Sequence, residues 1–264
     1  MSTRRWSWRR RCPAGACRTA PAAIDTLPGV TSSDDVIRVQ RAWKQIETWM
    51  GRHAPASRAM LNPPAALDRI ERWEATMGFL LPPPLRALYL LHDGSRGYDQ
   101  DRFGHHPHVE GPLPAPADDA SRSWEAQWAA ALFLPGPGVH TGFAWFPLDE
   151  VMLQYPVHQG IEEEYHRLIP FAADTLDSSM SGFFLDPQDG QIGAWGDAGH
   201  VEFEIGTLVD YIEQIAAALD GGGTAFGYRP ALHASGALGW PDSDGDPFDE
   251  LGGDAWTWVP EGGI

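Results

Sequence analysis

The sequence predicts an α+β protein in which N-terminal helices precede a central, mainly antiparallel sheet that is covered by helices. Three observations predict this class. Apolar residues recur every three or four positions in the first half of the chain and again near residue 210, as on one face of a helix. Between residues 168 and 205 the apolar runs are short and separated by turns, which favours strands paired with their sequence neighbours. Helices, then a meander, then a covering helix are typical of one α+β domain.

The first predicted helix begins at Ser33, because a hydroxyl residue followed by two acids suits the first turn of a helix. Its apolar stripe consists of Val36, Val39, Trp43, Ile46 and Met50. The helix ends near Gly51, and we expect residues 53–64 to form a loop.

The next two helices meet at a proline elbow. The apolar face of the first consists of Leu67, Ile70, Trp73 and Met77. That helix ends at Gly78, and the three prolines 82–84 forbid its continuation. Proline is favoured at the first helical position, so the following helix begins at Pro83 or Pro84 and ends in a turn at residues 92–94.

The second half of the chain contains most of the predicted strands. They are residues 139–146, 168–172, 182–186, 191–195 and 201–205, with a tight turn at 187–190. Predicted helices are residues 123–134, 149–159 and 207–219. The last of these carries a continuous apolar face, so we expect it to cover the sheet.

The proline elbow and its flanks resemble the opening of the SUKH superfamily, which contains yeast cell-wall-assembly regulators and many bacterial immunity proteins. The matching positions are Ile70, Glu71, Gly78, Leu81, Pro82, Leu85, Tyr89, Asp93 and Gly94. The Ile-Pro-Phe-Ala run at 169–172 and the hairpin at 182–190 look like later motifs of the family. The resemblance covers residues 42–219 and implies a single SUKH-like domain. His92 departs from the family pattern, in which Asn or another small polar residue is commoner.

We divide the chain into three parts. Residues 1–32 form an Arg-rich extension that we expect to be disordered, and residues 33–220 form the SUKH-like domain. Residues 221–264 form an acidic Gly/Trp-rich tail that packs on the domain or trails from it. The first twenty residues hold six arginines and no acid, yet the whole chain carries a net charge of −17. The remaining chain is therefore strongly acidic, which repels nucleic acid and attracts basic proteins, although a plain solubility surface explains the same charge.

Composition excludes two further classes. No run approaches the roughly 18 apolar residues of a membrane span, so we expect no membrane insertion. Cys12 and Cys17 are the only cysteines, and their basic segment lacks the apolar core of a secretory signal. A body without cysteine fits a reducing compartment, so the sequence predicts a cytoplasmic protein.

One loop collects metal-ligating side chains: His105, His106 and His108, with Asp99, Asp101 and Glu110 nearby. Imidazoles and carboxylates suit a transition metal, and this loop supports one alternative function, a metal-dependent hydrolase. Pro107 and the irregular surroundings leave the geometry of these side chains unfixed, so a solvated loop is the simpler interpretation. Residues 174–182 and 242–246 are likewise explained by turns, since they lack the nucleophile elbow of hydrolases and the spacing of an EF-hand loop, respectively. We therefore predict no catalytic residue, no cofactor and no metal.

The sequence predicts a non-enzymatic protein-binding module. The resemblance implies either an immunity-type protein that neutralises a toxin, such as a nuclease, or a regulatory scaffold. Acidic and aromatic side chains are the expected contacts with a basic toxin domain or another basic partner. The candidates are Asp99, Asp101, Glu110, Trp124, Trp128, Asp174, Asp177 and Trp240. For each tryptophan, burial in the core is the alternative.

Overall fold

The computed structural model describes residues 33–95, 143–159, 167–174, 181–196, 199–244 and 256–262, with the side chains of 156–159, 174 and 199–204 excepted. The helices are α1 Ser33–His53, α2 Pro55–Ala59, α3 Leu67–Met77, α4 Pro83–Tyr89, α5 Leu148–Gln159 and α6 Leu208–Gly221. The strands are β1 Phe143–Trp145, β2 Ile169–Asp174, β3 Gly182–Leu185, β4 Gln191–Gly196, β5 Gly199–Thr207, β6 Ala231–His233, β7 Leu238–Gly239 and β8 Trp256–Trp258. These helices and an antiparallel five-stranded sheet confirm the predicted α+β class.

The large sheet is a meander in the order β1-β2-β3-β4-β5, with every neighbouring pair antiparallel. Its turn between β3 and β4 is built by two aspartates. Asp186 Oδ1 accepts a hydrogen bond from Gln188 N at 2.8 Å, and Asp189 Oδ1 accepts one from Gln191 N at 2.9 Å. Such side-chain bonds replace missing ladder bonds at a reversal, and they confirm the predicted turn.

A proline in β2 interrupts the regular pairing of the large sheet. Pro170 has no N–H to give to a neighbouring strand, and the register between β2 and β3 shifts between Pro170 and Ala172. At this bulge the Phe171 carbonyl accepts a hydrogen bond from Phe146 N at 2.8 Å. The backbone that follows β1 is thereby held to β2.

Aromatic rings join the sheet to the helices. Trp145 of β1 contacts Trp43 of α1 and Tyr89 of α4, with ring centroids 5.1 and 5.3 Å apart. Phe183 of β3 contacts Tyr211 of α6 at 5.8 Å. All five rings are buried, and burial of one such side chain contributes about 1.5–3 kcal/mol to folding. The helices therefore cover the sheet through a continuous aromatic core.

A second, three-stranded sheet, in the order β7-β6-β8, was not predicted from the sequence. Leu238 N donates a hydrogen bond to Ser57 Oγ of α2 at 2.9 Å, and Ala56 N donates one to the Gly236 carbonyl at 3.1 Å. Strands of two or three residues are too short to show alternation, which explains the omission.

Two local expectations need correction. Residues 55–59 form the short helix α2, whereas a loop was expected from 53 to 64. Pro55 stands at the first helical position of α2, where its missing N–H costs nothing. Leu67 was expected on the buried face of α3 but is half exposed. The predicted helix at 123–134 lies outside the described residues. Among the described helices, none is long and apolar enough to cross a bilayer.

Helix α6 begins with a side-chain cap. Thr207 Oγ1 accepts a hydrogen bond from Asp210 N at 3.2 Å and donates one to Asp210 Oδ2 at 2.8 Å. This satisfies one of the backbone N–H groups that a helix leaves unpaired at its start.

We expect Thr207→Ala to lower the free energy of unfolding by about 1 kcal/mol, because the cap of α6 is lost. The matched control is Thr76→Ala, at an exposed position inside α3 where the hydroxyl only bonds the Arg72 carbonyl. Alanine favours a helix interior, so this control should be neutral or slightly stabilising. Urea denaturation compares the two variants, and equal losses would contradict the capping role.

Candidate functional site

Asp93 is a buried carboxylate in the turn that follows α4. Its Oδ1 accepts a hydrogen bond from Leu148 N, the first residue of α5, at 3.0 Å. Its Oδ2 forms an ion pair with Arg69 of α3, which also reaches Asp149 at 2.8 Å. One carboxylate therefore joins α3 to the start of α5, where the helix dipole favours negative charge.

The backbone around Asp93 is fixed as well. Asp93 N donates a hydrogen bond to the Pro63 carbonyl at 2.9 Å, and the Asp93 carbonyl accepts one from Asn62 Nδ2 at 2.8 Å. Ser95 Oγ lies 3.1 Å from both the N and the O of Trp145, and so ties the turn to β1. The turn thus connects four separate parts of the chain.

Burial raises the pKa of Asp93, and the opposing effects of the Leu148 N–H and of Arg69 do not cancel it. Burial, together with the charge of Asp93, also raises the pKa of Tyr89, whose hydroxyl donates to the Phe146 carbonyl at 3.0 Å. Both carboxylate oxygens of Asp93 are engaged and its side chain is 7% exposed. The arrangement therefore suits a structural anchor, because a general acid or base has to reach its substrate.

Two shallow concavities flank α2. The larger, about 530 Å³, is lined in part by His53, Pro55, Leu232, His233, Ser235 and Thr257. The smaller, about 240 Å³, shares Pro55 and includes Glu47, Gly51, Arg58 and His92. In the larger one, His233 Nδ1 lies 2.8 Å from Ser235 Oγ and 3.2 Å from Ser235 N. A serine–histidine contact within one tight turn is explained by turn geometry.

The smaller concavity contains one acid between two basic groups. Glu47 Oε1 accepts a hydrogen bond from Arg58 Nη2 at 3.1 Å, and Glu47 Oε2 lies 3.5 Å from His92 Nε2. His92 Nδ1 lies 2.7 Å from the Asn62 carbonyl, which can only accept, so this nitrogen carries a hydrogen. Arg58 therefore compensates the charge of Glu47.

Acidic side chains gather where α1 begins beside the start of α6. We call this the α1–α6 acidic face, and it consists of Asp34, Asp35, Asp210 and Glu213 around Arg38. Arg38 Nη2 lies 2.7 Å from Glu213 Oε2 and 3.1 Å from Asp210 Oδ1. Arg38 Nη1 lies 3.2 Å from Asp35 Oδ1. Three carboxylates thus bond one guanidinium, and the face keeps a negative formal charge.

Hydrogen bonding shifts the pKa of two groups of this face, Arg38 and Asp210. Hydrogen bonding to Glu213 is the main reason that the pKa of Arg38 is raised. Burial alone would raise the pKa of Asp210, but hydrogen bonds from Thr207 and Arg38 outweigh it, and the pKa is lowered. Asp34 is exposed at the outer edge of the face, within the first turn of α1.

Most of the predicted contact residues lie outside the described residues. These are Asp99, Asp101, Glu110, Trp124, Trp128 and Asp177, together with His105, His106 and His108 of the predicted metal loop. Asp174 ends β2 opposite Phe143, and its side chain is not among those described. Trp240 was expected at the partner surface, but it is fully buried in the main core. This corrects the expectation for Trp240, because its ring has no surface to offer a partner.

The parts of the chain that the structure describes contain no group of three or more His, Cys, Asp or Glu side chains placed to hold a metal ion. The acidic turn at Asp242 is explained by Asp244 N, which donates to Asp242 Oδ1 at 3.0 Å. The α1–α6 acidic face and the concavities beside α2 are therefore the features that suit binding. Both are open surfaces, as contacts with a macromolecule require.

The sequence profile of the SMI1 / KNR4 family (SUKH-1) matches residues 64–214, more than half of the chain. The chain belongs to this family. It is also similar to the "Cell wall assembly regulator SMI1" of Saccharomyces cerevisiae (strain ATCC 204508 / S288c), with 31% identity over 71 residues. That stretch is 27% of this chain and spans 14% of the length of the yeast protein. The resemblance predicted from the elbow and strand motifs is confirmed.

The matched region begins just before α3, includes Asp93 and the large sheet, and ends inside α6. The helices α1 and α2 and the second sheet lie outside it. The acidic face was missed because its members come from two helices that are far apart in the sequence. Arg38 and Glu213 are 175 residues apart, and no local pattern signals such a contact.

Gly94 is required beside Asp93 for two reasons. Its φ is +69°, and a Cβ there would lie 2.5 Å from the carbonyl carbon of Phe146. We expect Gly94→Ala to destabilise the protein by about 3 kcal/mol, from left-handed strain plus the backbone clash. Gly190→Ala is the matched control, because Gly190 has φ +76° with nothing within 4 Å of the added Cβ. Gly190→Ala should lower the free energy of unfolding by only about 1 kcal/mol, as measured by thermal unfolding. Similar losses in the two variants would show that the clash at Gly94 contributes nothing.

The titration of Asp93 gives a pH prediction with a definite sign. Its pKa is raised in the folded state, so folding favours the protonated form. Its contribution to stability is present below the unfolded pKa, about 3.9, and is lost as pH rises through the folded value. We expect the unfolding free energy of the wild type minus that of Asp93→Asn to fall with rising pH in this window and then level off. Urea titrations of both proteins measure it, and a difference that grows with pH would contradict the assignment.

Proposed function

We propose that this family member is a non-enzymatic binding module that controls a basic protein partner by contact. The partner is a toxin domain, such as a nuclease, if the protein is of the immunity type. It is a component of a regulatory assembly if the protein is a scaffold. The absence of cysteine between residues 18 and 264 fits action in the reducing cytoplasm.

The observation that carries the proposal is the α1–α6 acidic face. Three of its carboxylates are partly exposed and are held by Arg38 on two packed helices, so little ordering is needed when a cation approaches. A nuclease groove is basic because it binds phosphates. Fixed carboxylates carry the same negative sign as those phosphates, so they suit the groove. Such complementarity accelerates encounter and selects the partner.

Family membership supports binding as the common activity of this domain. The yeast relative is called a regulator of cell wall assembly, which agrees with a scaffold role, although the aligned part is a small fraction of that protein. The buried Asp93 also agrees with binding, since this carboxylate, whose pKa burial raises, is closed to substrates.

The test uses the product of a gene adjacent to the coding gene as the candidate partner. We expect Asp34→Lys to weaken binding about fivefold, because an attractive surface charge becomes repulsive. Asp68→Lys is the matched control: it makes the same charge change in the first turn of α3, at an exposed position away from the face. Calorimetry measures affinity, and growth rescue on co-expression measures neutralisation.

Equal weakening by the two variants would contradict the acidic face as the contact. Growth rescue without binding, or tightly held stoichiometric metal in the purified protein, would instead favour the metal-dependent hydrolase. Rescue that requires the face separates an immunity protein from a scaffold, because a scaffold binds without protecting the cell.

A further inference from the structure

Helix α1 presents a second charged surface along its solvent side. Five of its exposed positions are spaced three or four residues apart opposite the buried stripe, and we call them the α1 ridge: Ile37, Arg41, Lys44, Thr48 and Arg52. Asp34 precedes them at the same spacing and belongs to the acidic face. The charged members of the ridge are Arg41, Lys44 and Arg52, all basic. Among the described residues, none of the three has an ion-pair partner. A protein with net charge −17 thus carries an uncompensated basic stripe.

The ridge leads directly to the concavities beside α2. Gly51, next to Arg52, lines the smaller concavity, and His53 lines the larger one. Glu47, an acid on the same helix, is paired with Arg58 at 3.1 Å. The ridge and the two concavities therefore form one surface that is neutral to basic.

Screening lets this surface act independently of the acidic face. The ridge from Arg41 to Arg52 is about 16 Å long, at 1.5 Å per residue. At physiological ionic strength the screening length is about 8 Å, and Lys44 and Arg52 lie about 14 and 26 Å from Asp35 along α1, so the acidic face is felt weakly at these two residues. The local bases decide which ligand is attracted.

This surface is built almost entirely from segments outside the family match at 64–214. The ridge lies in α1, and the larger concavity is lined by residues before 64 and after 214. Of the residues around the smaller concavity, His92 belongs to the matched region. The segments outside the family match thus supply the basic ridge, together with the α1 part of the acidic face.

We propose that the α1 ridge and the adjoining concavities dock an acidic segment of a protein partner. The bases attract carboxylates, while Leu232 and Pro55 give the larger concavity an apolar floor for a side chain between them. Nucleic acid fits less well, because the tryptophans behind the concavities, Trp49 and Trp256, are buried and offer no face for base stacking. This binding goes beyond the proposed function and does not rest on it. The same molecule would hold a basic partner on one face and an acidic one on another.

The test measures binding of a short fluorescent peptide of glutamate, aspartate and leucine to the full chain by polarisation. We expect Lys44→Glu to weaken binding about fivefold, since one attractive charge is lost and a repulsive one gained. The matched control is Arg72→Glu, an equal charge change at an exposed position of α3. It should change affinity by less than about twofold. Equal weakening by both variants would overturn the proposal, because the affinity for the peptide would then depend on the net charge of the protein alone.

Two further experiments test whether the peptide binds at the ridge. The six arginines of the first twenty residues also attract acidic peptides, so both variants are repeated with these arginines replaced by serine. If the difference between Lys44→Glu and Arg72→Glu disappears, the N-terminal segment is the binding site and the proposal fails. Single-stranded DNA that binds the ridge more tightly than the peptide would also overturn it. Unchanged thermal unfolding of Lys44→Glu is expected, because the side chain is exposed.

Discussion

The fold depends on the satisfaction of one buried charge, that of Asp93. A buried carboxylate is costly unless both oxygens are occupied, and here Arg69 and the Leu148 N–H occupy them. The backbone of the same turn holds the segment before α3, and Ser95 holds β1. Asp93 bonds α3 and α5, and Ser95 bonds β1, so the turn sets the relative positions of α3, α5 and the sheet. The Asp-Gly pair of the turn that follows α4 supplies this carboxylate.

Around this anchored domain, the chain separates its surface charges. Acids collect where α1 meets α6, and bases line the outer side of α1 further along. One helix thus contributes to two surfaces of opposite sign. The division follows from helical periodicity, since residues on the buried, flanking and outer sides of α1 recur at different positions. A net charge of −17 conceals it, because a total carries no information about location.

Periodicity predicted the described helices other than α2, the proline elbow and the order of the meander, because these patterns are local in the chain. It failed where contacts are distant or elements very short. The strands β6–β8 have two or three residues each, and α2 has five, so neither presents a recognisable period. The acidic face joins Asp35 to Glu213 through Arg38, which no local pattern reveals. Trp240 was misjudged because a tryptophan in a Gly-rich tail looks exposed until the second sheet is known to pack.

The meander links neighbours in sequence, whereas Arg38 and Glu213 meet across 175 residues. Contacts of such separation close the longest loops and tend to form late in folding. The acidic face therefore exists only after both ends of the domain have come together. A ligand that recognises the completed arrangement stabilises it by mass action, so occupancy would protect the seam between α1 and α6 from opening.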